Sequence, residues 1–426
     1  MIPILLVLMV FGFLVLGMPI AFCLGLSTFF AFLMIGTLPL MILAQQIYFG
    51  INVYPMLAIP FFLLAGAFMN AGGMTERIIA FFNALFGRFT GALAITNCAA
   101  SMFFGGVSGM AIADVSSLGA ILIPSMKKAG YPSDFSVAVT ASSAICGPVI
   151  PPSVPMIIYG VVAKVSVLAL FLAGAIPGII LGLLLMIYSF LLSKKKNFPR
   201  ERKYSLREIL TVTRRSFWAL IMPIFLFVGI IVGFFTITEL SAFAALYGFI
   251  IGVFVYRTVP IKDMLSIFWQ VGVDTGVIMF LIGMTMVFAW FLAYLKIPQT
   301  ITYFFMSITT NKILILVLIN LVLLGAGLFL DSTPATLILV PVFLPLIIKL
   351  GINPIHFGVI MVFNLMLGLL TPPVCIALSL GALIAKIPLS QAIRASIPFF
   401  IIGIIILIFI TYVPEMTLFL PNLVFK

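Results

Sequence analysis

Two stretches, "GPVIPPSVPM" (147–156) and "GLLTPPVCIA" (368–377), place adjacent prolines inside apolar runs, and each follows a glycine-rich segment, "FGGVSGMAIAD" (104–114) and "GAGLFLDSTP" (325–334). These residues do not suggest catalysis. No nucleophile–base pair or phosphate loop occurs, and "GGVSG" is too short for a nucleotide, so the chain is not read as an enzyme. What they offer is oxygen. Two successive prolines remove two amide donors and clash with the preceding turn, which frees carbonyls one turn earlier. Inside hydrocarbon such carbonyls are costly unless something takes their free lone pairs. A hard cation such as sodium takes oxygen ligands, and neutral carbonyls and hydroxyls can supply them.

Two cation sites follow. The first sets Ser108 and the carbonyls near Gly105, Gly106, Gly147, Val149 and Ile150 around one ion; the second sets Ser332, Thr333, Thr371 and the carbonyls near Gly325, Gly327, Gly368 and Leu370 around another. The competing reading is that each proline pair only kinks a helix. Finding the pair twice, at the same distance after a glycine-rich segment, argues against it. Helix N-termini beside the sites favour an anion, so the substrate is expected to be a small organic acid. Its candidate contacts are Ser108, Asp114, Ser153 and Asp331. Asp331 opens "DSTP" and reads either as a helix cap or as a contact to substrate or to a cation's outer ligands. Asp114 reads as a contact to a substrate hydroxyl or as the group that orients the first tip. Asp274 and Glu239 read as interfacial anchors, His356 as a cap, and Lys164 as a snorkelling base.

Composition determines what must hold these groups. Of 426 residues 64% are hydrophobic and 8% charged, and mean hydropathy is +1.38, which excludes a soluble globular protein and indicates many membrane crossings. The net charge of +12 is not read as a nucleic-acid signal. Nine of the 22 bases lie in "KKKNFPRERKYSLREILTVTRR" (194–215), between two apolar segments, and mark a cytoplasmic loop. A nucleic-acid or lipid-headgroup role is the lesser reading of that run. Cys23, Cys98, Cys146 and Cys375 are scattered without CxxC spacing and read as buried thiols. The N-terminus lacks a basic n-region and a cleavage site and reads as a first span.

The chain repeats itself. An ungapped shift of 221 residues pairs Pro39 with Pro260, Pro124 with Pro345, Pro151 with Pro372, Pro152 with Pro373 and Pro177 with Pro398, and also Gly106 with Gly327 and Gly147 with Gly368. The copies are 1–205 and 206–426. Each is expected to contain two spans (1–35; 217–256), a proline-led interfacial stretch (37–50; 258–271) and a third span (55–72; 271–293). An amphipathic arm (73–91; 294–312), a re-entrant hairpin (92–125; 313–349), a broken span (135–163; 355–385) and a last span (167–192; 388–413) follow. A hairpin segment of about 35 residues at about 1.5 Å each would overreach a bilayer as one helix, hence the re-entrant reading. Five crossings per copy turn the second copy upside down. Counted from the basic loop, Arg77, Arg88, Lys127, Lys128, Arg257, Lys262, Lys386 and Arg394 fall inside, whereas Lys296, Lys312 and Lys349 fall outside. The expected fold class is thus an all-α polytopic membrane protein, an inverted-topology repeat of about ten spans plus two re-entrant hairpins.

"FFGGVSGMAIADVSSLGAILIPSM", "GPVIPPSVPM", "DSTPATLILVPVFLPL" and "GLLTPPV" resemble the large membrane subunit of tripartite ATP-independent periplasmic (TRAP) transporters over essentially the whole chain. The resemblance implies a multi-pass bacterial inner-membrane protein that works with a small four-helix membrane subunit and a periplasmic binding protein delivering sialic acid, a C4-dicarboxylate or a related acid. It implies sodium as the coupling ion, with no other cofactor. By position its first sodium site falls on Ser108 with Gly147 to Pro152, and its second on the Asp331 hairpin with Gly368 to Pro373. Met110 departs from the small polar residue associated with that hairpin position. The combination "GGVSG…AD" is closer to the sialic acid branch. Both readings give an elevator in which 92–163 and 313–385 move as one body against a scaffold formed by the remainder. A stand-alone sodium–dicarboxylate symporter is the alternative, with a non-transporting scaffold or a channel further behind.

Overall fold

The structure is a computed structural model that describes residues 2–233 and 235–425. Regular structure among these residues is helical, apart from one isolated bridge between Thr90 and Arg200. The first copy holds α1 (Ile2–Val15), α2 (Ile20–Ile35), α3 (Met41–Ile51), α4 (Ala58–Ala71) and α5 (Met74–Phe86). The hairpin helices α6 (Ala92–Ser108) and α7 (Ala111–Lys128) follow, then the broken span α8 (Ser133–Ala144), α9 (Cys146–Val149) and α10 (Val154–Ala163), and then α11 (Val167–Lys195). The second copy holds α12 (Leu206–Val232), α13 (Ile237–Ile250), α14 (Ile261–Tyr294) and α15 (Ile297–Ile308). It continues with the hairpin α16 (Lys312–Gly327) and α17 (Ser332–Lys349), the broken span α18 (Pro354–Gly368) and α19 (Ile376–Ala385), α20 (Leu389–Tyr412) and α21 (Glu415–Val424).

The starts of α16, α17, α18, α19 and α20 each lie within one residue of 221 beyond those of α6, α7, α8, α10 and α11. Among the described residues eight helical runs are long and apolar enough to cross a bilayer unaided; all but Ser332–Lys349, a hairpin arm, are spans of the expected pattern. The fold is an all-helical polytopic membrane fold. One end of the bundle gathers three arginines. Ser216 donates to the Arg77 carbonyl at 2.8 Å, the Arg77 guanidinium lies 3.7 Å from the Tyr256 ring centre, and Tyr256 donates to the Arg215 carbonyl at 3.2 Å, so Arg77, Arg215 and Arg257 share one face. Lys349 instead stacks 5.3 Å above Tyr303 on the second arm.

Four expectations change. The interfacial stretch and third span of the second copy are one 34-residue helix, α14. The first copy breaks between α3 and α4 because Pro55 cannot donate to a helix ladder, and the 221-residue shift puts Gly276 in its place. The C-terminal helix α21 was not anticipated. It packs along α11, and Thr417 Oγ1 lies 2.7 Å from His356 Nδ1. His356 is therefore buried against α21, and the cap of α18 is Asn353, whose side chain accepts from the Ile355 amide. Glu239 completes a capping box with Thr236 at the start of α13. All four cysteines are free and buried.

The hairpins and broken spans pack with α11 and α20: α11 lies on α6, α9 and α18, while α20 lies on α8 and α18. The other large group joins α4 to α13, α14 to α2, α3 and α4, and α12 to α5. A row of buried polar side chains stitches hairpin to broken span in each copy. Asn97 donates to Thr140 at 2.6 Å and Ser101 lies 2.8 Å from Ser143; Asn364 donates to Asn320 Oδ1 at 2.8 Å.

Candidate functional site

The first hairpin turns at Gly109, whose φ of +61° is a left-handed conformation that favours glycine. This turn sets the tip against the break in the first span, where the Val154 amide donates to the Gly109 carbonyl at 3.4 Å. Ser153 closes the break as the cap of α10: its hydroxyl donates to the Pro148 carbonyl at 2.5 Å and accepts from the Met156 amide at 3.2 Å. The hairpin and the span cross at two glycines. A Cβ on Gly105 would fall on the Cα of Gly147, and one on Gly147 would fall on Asp114 Oδ2. Ser108 donates to Asp114 Oδ1. Asp114 Oδ2 is fully buried and has no hydrogen-bond partner among the described residues. A buried carboxylate oxygen left without a partner beside an interrupted helix is able to serve as a cation ligand.

The second hairpin repeats the crossing. A Cβ on Gly327 would lie 3.2 Å from the Cα of Gly368, and one on Gly368 would fall on the Gly327 carbonyl. Asp331 caps α17, accepting from the Thr333 amide at 3.5 Å. Thr371 donates to the Gly368 carbonyl at 2.9 Å. Both proline pairs, Pro151–Pro152 and Pro372–Pro373, are joined by cis peptide bonds. The first break is buried throughout, whereas Pro372, Pro373 and Val374 are exposed.

Not every expected ligand converges. The Val149 carbonyl lies against Gly174 of α11, away from the crossing, and Ile150 packs on Gly178. Gly325 faces open space, and its carbonyl accepts from the Leu328 amide at 3.3 Å. Gly106 lies beside the Pro151 carbonyl, a would-be Cβ standing 3.4 Å from it. The Pro152 carbonyl abuts Gly109 at the tip, and Leu370 is buried with its amide bonded to the Leu367 carbonyl. Ser332 is buried and Thr333 half-buried at the start of α17.

Two contiguous cavities of about 520 and 440 Å³ lie between this body and the helices α4 and α14, within the range of about 300–1,000 Å³ for small-molecule sites. The smaller brings the first turn of α7 (Met110 to Ala113) together with Asp331, Ser332 and Thr333 at the start of α17. The larger runs past Ser108 and Ser116 toward Asn70 and Ser266, at the ends of α4 and α14 nearest Arg77 and Lys262. Of the expected substrate contacts, Ser108 and Asp331 line these cavities. Asp114 and Ser153 do not: Asp114 is turned back into the glycine crossing by Ser108, and Ser153 is spent on capping α10. Asp274, expected to be an anchor, lines both cavities, because α14 is continuous and carries residue 274 more than three turns in from its start. Its bond to Gln270, one helical turn earlier, was the available signal: two polar residues four apart in an apolar span.

Paired hairpins and interrupted spans around a shared cavity define a membrane transporter of the secondary kind, not an enzyme. Over residues 7–416 the sequence matches the family described as tripartite ATP-independent periplasmic transporter, DctM component, and the chain belongs to that family. It is 39% identical over 412 residues to the sialic acid TRAP transporter large permease protein SiaM of Vibrio cholerae, covering 97% of this chain and 96% of that one. It is 38% identical over 399 residues to the C4-dicarboxylate large permease DctM of Pseudomonas aeruginosa, covering 94% and 93%. The crystal structure of the Alcanivorax borkumensis YdaH transporter shares the fold, with a TM-score of 0.64, 14% identity and 88% of each chain covered. The protein is an integral protein of the inner membrane.

Proposed function

We propose that the chain carries a small organic acid inward together with sodium, by an elevator motion. In this reading it works with a small permease subunit and a periplasmic binding protein that supplies the acid. The observation that carries the sodium assignment is Asp114 Oδ2, buried and unpartnered at the crossing of Gly105 and Gly147. Leaving that oxygen bare in a medium of low dielectric is costly, and a bound cation removes the cost. Ser108 holds the carboxylate in place from the other side. The Gly327–Gly368 crossing with Thr371 forms the counterpart site. Sodium at either crossing holds a hairpin tip against its broken span, and at the first this sets the opening turn of α7 to receive the acid's carboxylate on its free amides, the start of α17 being already capped by Asp331.

The moving body takes in α11 and α20 as well as the hairpins and broken spans, because both helices are packed onto them. The fixed body is built on α1 to α4 and α12 to α14, with the arms α5 and α15 joining the two. The cavities lie between the bodies and extend toward the face that carries Arg77 and Lys262, the cytoplasmic face by the distribution of bases, so this arrangement is open inward.

The test is uptake into proteoliposomes containing the permease subunits, with the binding protein outside, under a sodium gradient and with choline in its place. Uptake that collapses in choline is the expected result. Uptake unchanged in choline refutes the coupling.

A further inference from the structure

Relatives named for sialic acid and for C4-dicarboxylates are almost equally similar to this chain, so similarity does not choose the cargo. The cavities do. Among the described residues their lining includes two carboxylates, Asp274 and Asp331, and no lysine, arginine or histidine. The remaining polar groups are neutral, among them Asn70, Ser116, Ser117, Gln270, Ser332 and Thr333. Asp331 is occupied as the cap of α17. Asp274 is exposed to the cavity and bonded only to Gln270 of its own helix, at 3.1 Å.

We infer that the cargo is a polyhydroxylated acid with a single carboxylate, a sugar acid, and that Asp274 is the residue that discriminates against dicarboxylates. The inference rests on the transport reading above and narrows it. One cargo carboxylate is met by the amides of Ala111, Ile112 and Ala113 at the start of α7, which line the same cavity. A second carboxylate would enter a space that already holds Asp274 and offers no base among the described residues, so like charges repel there, in a form softened by the solvent that reaches the exposed Asp274. A hydroxyl-bearing chain meets the opposite situation. Asp274 accepts hydrogen bonds from hydroxyls, and the serines, threonine and amides around it both donate and accept. A site that hydrogen-bonds hydroxyls also rejects a ligand lacking them, because its own polar groups are then left unpaired.

The test measures equilibrium binding of labelled N-acetylneuraminate, gluconate and succinate to the purified permease complex, in sodium and in choline. The variants are Asp274→Asn and Asp274→Glu; Asp274 is exposed, and neither substitution removes packing. The expected result is sodium-dependent binding of at least one sugar acid, about two- to fivefold tighter than succinate, as one solvent-screened like charge implies. Asp274→Asn should remove most of that ratio, and Asp274→Glu should keep it. Succinate bound as tightly as either sugar acid overturns the inference while leaving sodium coupling intact. A ratio unmoved by Asp274→Asn overturns the role of Asp274. Preference for a sugar acid that is equally strong in choline supports the cargo class and overturns the coupling. Binding of none of the acids overturns both.

Discussion

Replacing Gly147 by alanine tests the glycine crossing. The added Cβ would fall on Asp114 Oδ2 and stand 3.3 Å from the Cα of Gly105. Neither neighbour can yield freely: one is backbone in the opposing helix, and the other is a buried carboxylate held by Ser108. Overpacking of this kind costs about 1–3 kcal/mol. Because the same contact forms the proposed cation site, the cost falls on the ion-bound state, and the sodium concentration for half-maximal uptake should rise by roughly 5- to 150-fold. Gly325→Ala is the matched control. Its Cβ would meet nothing within 4 Å, and it lies inside α16, where alanine favours helix by up to about 1 kcal/mol. The assay is initial uptake rate against sodium concentration in proteoliposomes, with melting temperature measured on the same preparations. Gly147→Ala with a normal sodium curve would refute the reasoning, as would Gly325→Ala shifting the curve as far.

Three further outcomes follow from contacts already described. Asn364→Leu removes the donor to the half-buried Asn320 side-chain oxygen; it should cost about 1 kcal/mol, and the double variant with Asn320→Leu should cost less than the sum of the two singles, read by thermal unfolding in detergent. Thr417→Val removes the hydroxyl beside His356 and should speed amide exchange across 415–424 without changing exchange in α8. The Ser205 amide at 2.8 Å and the Ser205 hydroxyl hold the Glu208 carboxyl below its ordinary value. This capping contribution to α12 is therefore full above the ordinary glutamate pKa and fades as pH falls through the lower folded value; the protection factors of Ile209 and Leu210, measured against the intrinsic rate at each pH, should fall in acid in the wild type, and Glu208→Ala should make them independent of pH.

Much of this was legible in the sequence because prolines and glycines act locally. A double proline ends a helix wherever it falls, so both breaks were found, and the 221-residue spacing of prolines and glycines located the hairpin and broken-span helices of the second copy from the first. Features decided by tertiary contact were harder to read. Asp114 was expected to touch substrate or orient the tip, since nothing in "SGMAIAD" says that the turn at Gly109 folds its carboxylate back onto Gly147. Asp274 was expected at an interface because the second copy was parsed on the first; only the loss of proline at position 276 reveals that α14 runs unbroken past it. Val149 and Gly325 each sit two residues from a crossing glycine in the sequence, but on a helix two residues turn the chain by about 200°, toward α11 in one case and open space in the other. The short C-terminal helix α21 lies beyond the last expected span and is held by docking on α11 and His356.

Equilibrium binding of radioactive sodium to the purified permease complex tests the central claim most directly. The account predicts saturable binding, one ion for each glycine crossing, with Asp114→Asn losing the first site and Thr371→Ala weakening the second. Sodium binding that is absent in the wild type, or unaltered in Asp114→Asn, would contradict it.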